Sequence, residues 1–267
     1  MAQEVQAPVL AERRGAVAWL TLNRPAKRNA MNPDMNAAMH AALDRIEEDA
    51  ACRAVVLRGA GGHFSAGMDM REFLVDPASR GELAARRVQE EAHRWWRRLR
   101  WLRQPTIAMV EGICMGGAFA PLFACDIAIA ARDARFSLPE IDLGILSVAN
   151  ITKIVGDLMG PRKAAYYLLS GQPFDGTMAE AWGLVTESVP ADALEARAGE
   201  IAAMLAAKDA LAMQATKEAL KHVLELSFAE AEDYVEQRQI ALNGLQGTTP
   251  AARAAAFLEA KARSRKQ

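Results

Sequence analysis

Two short stretches of this chain combine residue types that could hold a negatively charged oxygen. In residues 105–120 an apolar, strand-like run leads into glycines at 112, 116 and 117. A run of small and apolar residues follows, interrupted only by Pro121, and reads as a helix. Glycine lets backbone N–H groups approach a ligand closely. The first N–H groups of a helix lack internal partners and carry partial positive charge. Such a joint is a ready place for an anionic oxygen. A second loop, residues 59–69, also follows an apolar run and contains Phe64-Ser65-Ala66-Gly67-Met68-Asp69. If the two strands are neighbours, the N–H groups of Met68 and Gly117 can converge on one oxygen as an oxyanion hole. Either loop alone is an ordinary tight turn; their joint appearance points to chemistry.

The elements that must position these loops follow from hydrophobic periodicity. Residues 16–22 read as a buried strand, as do 54–57, 106–110 and 126–130. Asn32-Pro33 reads as a helix cap followed by a proline at the first helical position. Met35, Met39, Leu43 and Ile46 continue at helical spacing. A long amphipathic helix is expected over 82–101, with Trp95, Trp96 and Trp101 serving packing. Strands alternating with helices predict an α/β core with parallel strands. From about residue 191 the strand signals stop. Helices are expected over 191–208, 210–226, 227–242 and 249–262. A helical appendage on an α/β core often packs on a neighbouring subunit.

Composition narrows the function classes. The chain has 267 residues, 51% hydrophobic and 24% charged, with a formal net charge of −1. That suits a globular protein with a substantial core. No global basic field favours nucleic acid, and the short arginine cluster at 97, 98, 100 and 103 reads as a solvated helix face. The apolar runs are too short or interrupted for a membrane span. Residues 1–6 lack the layout of a secretory signal. Cys52, Cys114 and Cys125 read as reduced thiols of a cytoplasmic protein. The histidines at 40, 63, 93 and 222 form no metal-ligand cluster. There is no nucleophile elbow and no phosphate-binding loop.

Several segments together resemble the crotonase (enoyl-CoA hydratase/isomerase) superfamily. They are Leu22-Asn23-Arg24-Pro25 with Lys27-Arg28-Asn29-Ala30-Met31, the Phe64-to-Asp69 loop, and Gly112-Ile113-Cys114-Met115-Gly116-Gly117-Ala118 with Cys125-Asp126-Ile127. Phe136-Ser137-Leu138-Pro139-Glu140-Ile141-Asp142-Leu143-Gly144 and Gly183-Leu184-Val185 before Val189-Pro190 complete the pattern. The resemblance implies an α/β fold of repeated ββα turns forming a spiral over residues 1–200. It implies a C-terminal helical region, 201–267, that makes trimers or dimers of trimers. The implied ligand is an acyl-CoA thioester, with no cofactor beyond the coenzyme A of the substrate.

By position, the resemblance assigns Met68 and Gly117 to the thioester oxygen and Ala66 to the adenine. Lys27 or Arg28 would reach the CoA phosphates, although a solvated surface explains both as well. Asp69 is expected to shape its turn and, with Met70, to lie at the substrate. The family's hydratases carry two glutamates. The position of one is Ala120 here; the other, after a Phe-x-x-Pro motif, is Glu140. Its apolar neighbours imply burial, which raises a carboxyl pKa towards neutrality. Asp126 and Glu111 are read as structural.

A single carboxylate fits hydration of an enoyl-CoA, hydration followed by retro-aldol cleavage, or Δ3-to-Δ2 isomerisation. A non-catalytic acyl-CoA-binding protein is the alternative from another class. In motif the chain is most similar to the hydroxycinnamoyl-CoA (feruloyl-CoA) hydratase-lyases. Tyr234 matches a tyrosine that helps hold the substrate's phenol from an adjacent subunit. Phe73 stands where that subgroup has a tyrosine, and Ala120 where it has a serine, which points to a less polar acyl group.

Overall fold

The computed structural model describes residues 7–264, so the reading of residues 1–6 lies outside the described residues. The chain divides into two compact units, Met1–Ala207 and Lys208–Gln267.

The first unit is built on a six-stranded sheet. Its strands are β1 (Val9–Arg14), β2 (Val17–Leu22), β3 (Ala54–Gly59), β4 (Thr106–Val110), β6 (Ile127–Ala131) and β9 (Glu187–Val189). They lie in the order β1-β2-β3-β4-β6-β9, antiparallel only between β1 and β2. Every residue of β2 and β4 is buried. Strands covered on both faces read as continuous apolar runs, which is why these two are legible in the sequence.

A second sheet holds β5 (Ile113–Met115), β7 (Arg135–Ser137) and β8 (Phe174–Asp175). Its strands have two or three residues each. Segments that short carry no periodicity, so β5 reads in the sequence as a continuation of the apolar run before it.

Helix α1 (Pro33–Glu48) starts as expected: the Asn32 side chain accepts from the Met35 N–H at 3.0 Å. It buries Met35, Met39, Leu43 and Ile46. After a short α2 (Asp76–Ser79) comes α3 (Glu82–Trp101), whose Trp95 and Trp96 are buried while Trp101 is exposed. Then follow α4 (Phe119–Ala124), α5 (Ile151–Met159), α6 (Pro161–Ser170), α7 (Gly176–Ala181) and α8 (Leu194–Ala206). Asp126 ties β4 to β6, accepting from the Thr106 amide at 2.8 Å and hydroxyl at 2.9 Å. Cys52 and Cys114 are buried, Cys125 is half-buried, and all three are free thiols.

The second unit contains α9 (Ala210–Val223), α10 (Phe228–Gln246) and α11 (Pro250–Ser264). A capping box opens α10: Ser227 caps the Glu230 N–H, and the Glu230 carboxylate accepts from the Ser227 N–H. Among the described residues no helix is long and apolar enough to cross a membrane.

Candidate active site

The loop after β3 is held by two buried polar residues. Asn29, at φ +57°, donates through its side chain to the carbonyls of Ala60 and His63, at 2.8 and 2.7 Å. Its own oxygen accepts from the Arg24 N–H at 2.9 Å. The Ser65 hydroxyl donates to the Asn29 carbonyl at 2.8 Å and accepts from the Gly67 N–H at 3.1 Å. Both side chains are fully buried. Buried polar groups this completely satisfied make a loop rigid.

Strands β3 and β4 are parallel neighbours, so the two glycine-bearing loops emerge at the same edge. The joint differs from the sequence expectation. Strand β4 first turns at Glu111-Gly112 into β5, and only then does the chain enter a single 3-10 turn, Gly116–Ala118, followed by α4. The first loop runs alongside β5: Phe64 N–H donates to Glu111 O, Ser65 N–H to Ile113 O and Met115 N–H to Ser65 O, at 2.8–3.1 Å. On the other side Met31 N–H donates to Gly67 O and Asp69 N–H to Met31 O. In a parallel bridge of this kind the residue between the two bonds, here Met68, turns its own N–H away from the partner.

Met68 and Gly117 are thereby left as free donors. Among the described residues neither backbone N–H has a hydrogen-bond acceptor. Their loops touch: a β-carbon at Gly67 would stand 3.3 Å from the Gly117 nitrogen and 2.6 Å from the Met115 carbonyl oxygen. The Met68 side chain lies against Gly117. Two amides without internal partners at adjoining turns can hold an oxygen that gains negative charge.

Glu140 lies in the 3-10 turn Pro139–Leu143, and its carboxyl faces Gly116. Its Oε2 is buried without a hydrogen-bond partner. Burial pushes this carboxyl above its ordinary value, while its own backbone and the Ser147 hydroxyl pull in the opposite direction. A carboxyl of that kind can take and return a proton nearer to neutral pH. Ala120 is buried in α4 and has no ionisable group to offer.

Asp69 is committed to structure. It accepts from the N–H groups of Arg71 and Glu72, capping the π-helical turn Met70–Val75, and from Arg24 at 3.2 Å. Arg24 also donates to Ala30 O and to Glu72, whose other oxygen accepts from Asn32 at 2.6 Å. This network links the first loop to the start of α1. Arg24, Asn29 and Ser65 do not stand out as supports in the sequence, and Asn32 stands out only as a helix cap, not as a donor to Glu72. Their signal was the clustering of polar residues at 22–32 and 64–69, whose shared function appears only once the segments meet.

The other expected residues divide into three groups. Ala66 and Arg28 are joined by a backbone hydrogen bond of 2.8 Å, and Lys27 and Arg28 sit on the exposed turn beside it. Phe73 is buried, whereas Met70 projects from the surface. Tyr234 belongs to α10 in the second unit, where its ring stacks on His222 at 5.2 Å. Glu111 lies in the turn between β4 and β5. Among the described residues no group of three or more His, Cys, Asp or Glu could hold a metal ion.

Residues 12–259 match the enoyl-CoA hydratase/isomerase family. The chain is 40% identical to a hydroxycinnamoyl-CoA hydratase-lyase of Pseudomonas fluorescens, over 85% of this chain and 83% of that protein. It is 32% identical to a 2,3-dehydroadipyl-CoA hydratase of Escherichia coli, over 82% and 84% of the two chains. The crystal structure of an enoyl-CoA hydratase from Bacillus anthracis superimposes with a TM-score of 0.86 at 27% identity, covering 95% of this chain and 96% of that one. The fold is that of the crotonases, and the chain belongs to the enoyl-CoA hydratase/isomerase family.

Proposed function

We propose that the protein is an enoyl-CoA hydratase whose 3-hydroxyacyl product can proceed to carbon–carbon cleavage. The observation that carries this reading is the pair of unpartnered amides, Met68 and Gly117, on adjoining turns, with the carboxyl of Glu140, its Oε2 buried, against the neighbouring Gly116. In it the thioester oxygen accepts from both amides. Glu140 takes a proton from water as the water oxygen bonds to Cβ, and the double-bond electrons move to the thioester oxygen. The enolate then receives the proton at Cα. An enolate carries more charge on that oxygen than the ground state does, so fixed donors stabilise the transition state selectively.

Cleavage uses the same parts. Glu140 takes the proton of the β-hydroxyl, the Cα–Cβ bond breaks, and an aldehyde leaves. The remaining enolate is protonated at Cα to give a thioester two carbons long. The family resemblance to hydratase-lyases supports this step. Phe73 and Ala120 carry no hydroxyl, which supports an acyl group less polar than a phenol. Ala66, with Lys27 or Arg28, would meet the nucleotide end of coenzyme A, and Met70 would lie at the mouth of the acyl site.

The reading includes no cofactor beyond the coenzyme A of the substrate, and a cytoplasmic setting supported by the free thiols. Residues 1–200 form the acyl-CoA core in this reading, and 201–267 form a surface for trimers or dimers of trimers that brings Tyr234 to a neighbouring site. Helix α10 buries none of its residues, and Phe228, Ile240 and Leu245 on it are exposed, which supports that role.

The test is turnover of crotonyl-CoA, feruloyl-CoA and a 3-enoyl-CoA by the wild type and by Glu140→Ala in ¹⁸O-labelled water. Hydration incorporates solvent oxygen; isomerisation does not. Full activity of Glu140→Ala on the wild type's substrate would overturn the reading.

A further inference from the structure

The aim of the Met68 amide is set one residue earlier. Across the trans peptide from Gly67 to Met68 the carbonyl and the N–H point in opposite directions. Met31 N–H donates to that carbonyl at 2.7 Å, so the Met68 N–H faces away from Met31. Gly67 is buried, lies at φ +94° and has no side chain to limit its rotation. Its orientation therefore depends on what holds its two ends. Met31 holds the carbonyl. The Ser65 hydroxyl holds the N–H, accepting from it at 3.1 Å.

A serine that accepts from the N–H two residues on is an ordinary turn contact. Here the contact is anchored. Ser65 is fully withdrawn from water, and its hydroxyl gives its one proton to the Asn29 carbonyl at 2.8 Å. Its lone pairs are left for the Gly67 N–H. Asn29 is itself tied down, since its side chain donates to the carbonyls of Ala60 and His63. The backbone of Ser65 meets the other loop. Its N–H donates to Ile113 O at 3.0 Å, and its carbonyl accepts from Met115 N–H at 3.1 Å. Met115 leads directly into the turn that carries Gly117. One buried serine is thus bonded to both segments that present the free amides.

We infer that Ser65 is a positioning residue for the oxyanion hole: its hydroxyl clamps the Gly67 N–H to the Asn29 carbonyl and so aims the Met68 amide. This rests on Met68 and Gly117 as the donors to the thioester oxygen. Being fully buried, Ser65 touches no substrate atom and acts through the peptide beside it. Without the hydroxyl, the Gly67 N–H and the Asn29 carbonyl lose a shared partner inside the protein. The Gly67 peptide then turns, and the Met68 N–H leaves the line to the oxygen, where hydrogen bonds weaken steeply. The neighbouring Ala66 N–H keeps its own bond to the Arg28 carbonyl, so the contacts expected for coenzyme A stay in place.

The experiment compares the full-length wild type with Ser65→Ala and Ser65→Thr by kinetics and by absorption. The probe is a cinnamoyl-CoA with a para-dimethylamino group, whose band moves to longer wavelength as hydrogen bonds draw charge onto the thioester oxygen. Ser65→Ala should show a smaller band shift when the probe is saturating. Its kcat for hydration should fall by about ten- to a hundredfold with KM within about twofold, the pattern of an interaction made in the transition state. Ser65→Thr keeps the hydroxyl and should bring both readouts back towards the wild type. Should Ser65→Ala not fold, Ser65→Cys, near-isosteric with a weaker donor and acceptor, is expected to change both in the same direction. A folded variant lacking the hydroxyl with the wild-type band and kcat overturns the inference, as does a loss confined to stability or KM. A wild-type band that does not move when the probe binds would instead overturn the reading of Met68 and Gly117 as the thioester's donors.

Discussion

Glu140 rests its carboxyl on Gly116: a β-carbon at residue 116 would stand 3.0 Å from Oε1 and 3.5 Å from Cδ. The same glycine is at φ +52°, where it begins the 3-10 turn that precedes α4. One residue without a side chain therefore serves both the bend of the chain and the seat of the acid.

Gly116→Ala is expected to cost about 1–2 kcal/mol of stability from the left-handed backbone alone. It should also displace the carboxyl and lower kcat by at least tenfold. Urea unfolding and steady-state kinetics check the two parts separately. A variant with wild-type kcat would show that the carboxyl has no fixed place over this turn.

Glu140→Gln should reduce kcat by about 10²- to 10⁴-fold, the range for a lost general acid or base. Its stability should change in the other direction. The folded-state pKa lies above the ordinary 4.5, because burial disfavours the charge. The stability this group contributes is present below about 4.5 and is lost as pH rises through the displaced value. At neutral pH the neutral amide avoids that cost. Thermal unfolding at pH 7–8 is expected to give Glu140→Gln a Tm at or above that of the wild type. A clear drop would mean that the ionised carboxyl stabilises the fold.

Gly67→Ala addresses the contact between the two loops. Its β-carbon would lie 2.6 Å from the Met115 carbonyl oxygen, a backbone atom with no freedom to retreat, and the residue is at φ +94°. Moving either loop misplaces the Met68 or the Gly117 amide. Losing one such donor costs roughly 10²–10³ in kcat. Kinetics on a variant shown to be folded by circular dichroism tests this, and an unaltered kcat would rule out a shared oxygen.

Arg24→Met should leave the Asp69 carboxylate, 8% exposed, with its two backbone donors and the more distant charge of Lys27 but without its hydrogen-bonded cation. Removing one partner of a buried pair costs about 3 kcal/mol at the lower end of its range. Burial opposes the charge on Asp69, but the Glu72 amide, Arg24 and, less strongly, Lys27 outweigh it and hold the pKa below the ordinary 3.8. That stability is present above about 3.8 and is lost as pH falls further. Acid unfolding of the variant should accordingly depend less steeply on pH in that range.

The long, buried elements and the types of residue in the loops are legible from the order of amino acids. Strands β2, β3 and β4 and helices α1 and α3 bury enough side chains to leave a periodicity in one dimension. The Phe64-to-Asp69 and Gly112-to-Ala118 motifs and the Phe-x-x-Pro-Glu run marked where the chemistry would be. How those pieces meet is set by the folded chain. Strands β5, β7 and β8 exist because distant segments pair, and each is too short to carry a pattern of its own. Met68 N–H is a free donor because Met31 occupies its neighbours' hydrogen bonds. Asn29 and Ser65 look like ordinary turn residues until they are buried against one another. A hydrogen bond depends on distance and direction between groups far apart along the chain, and only the closed fold sets both.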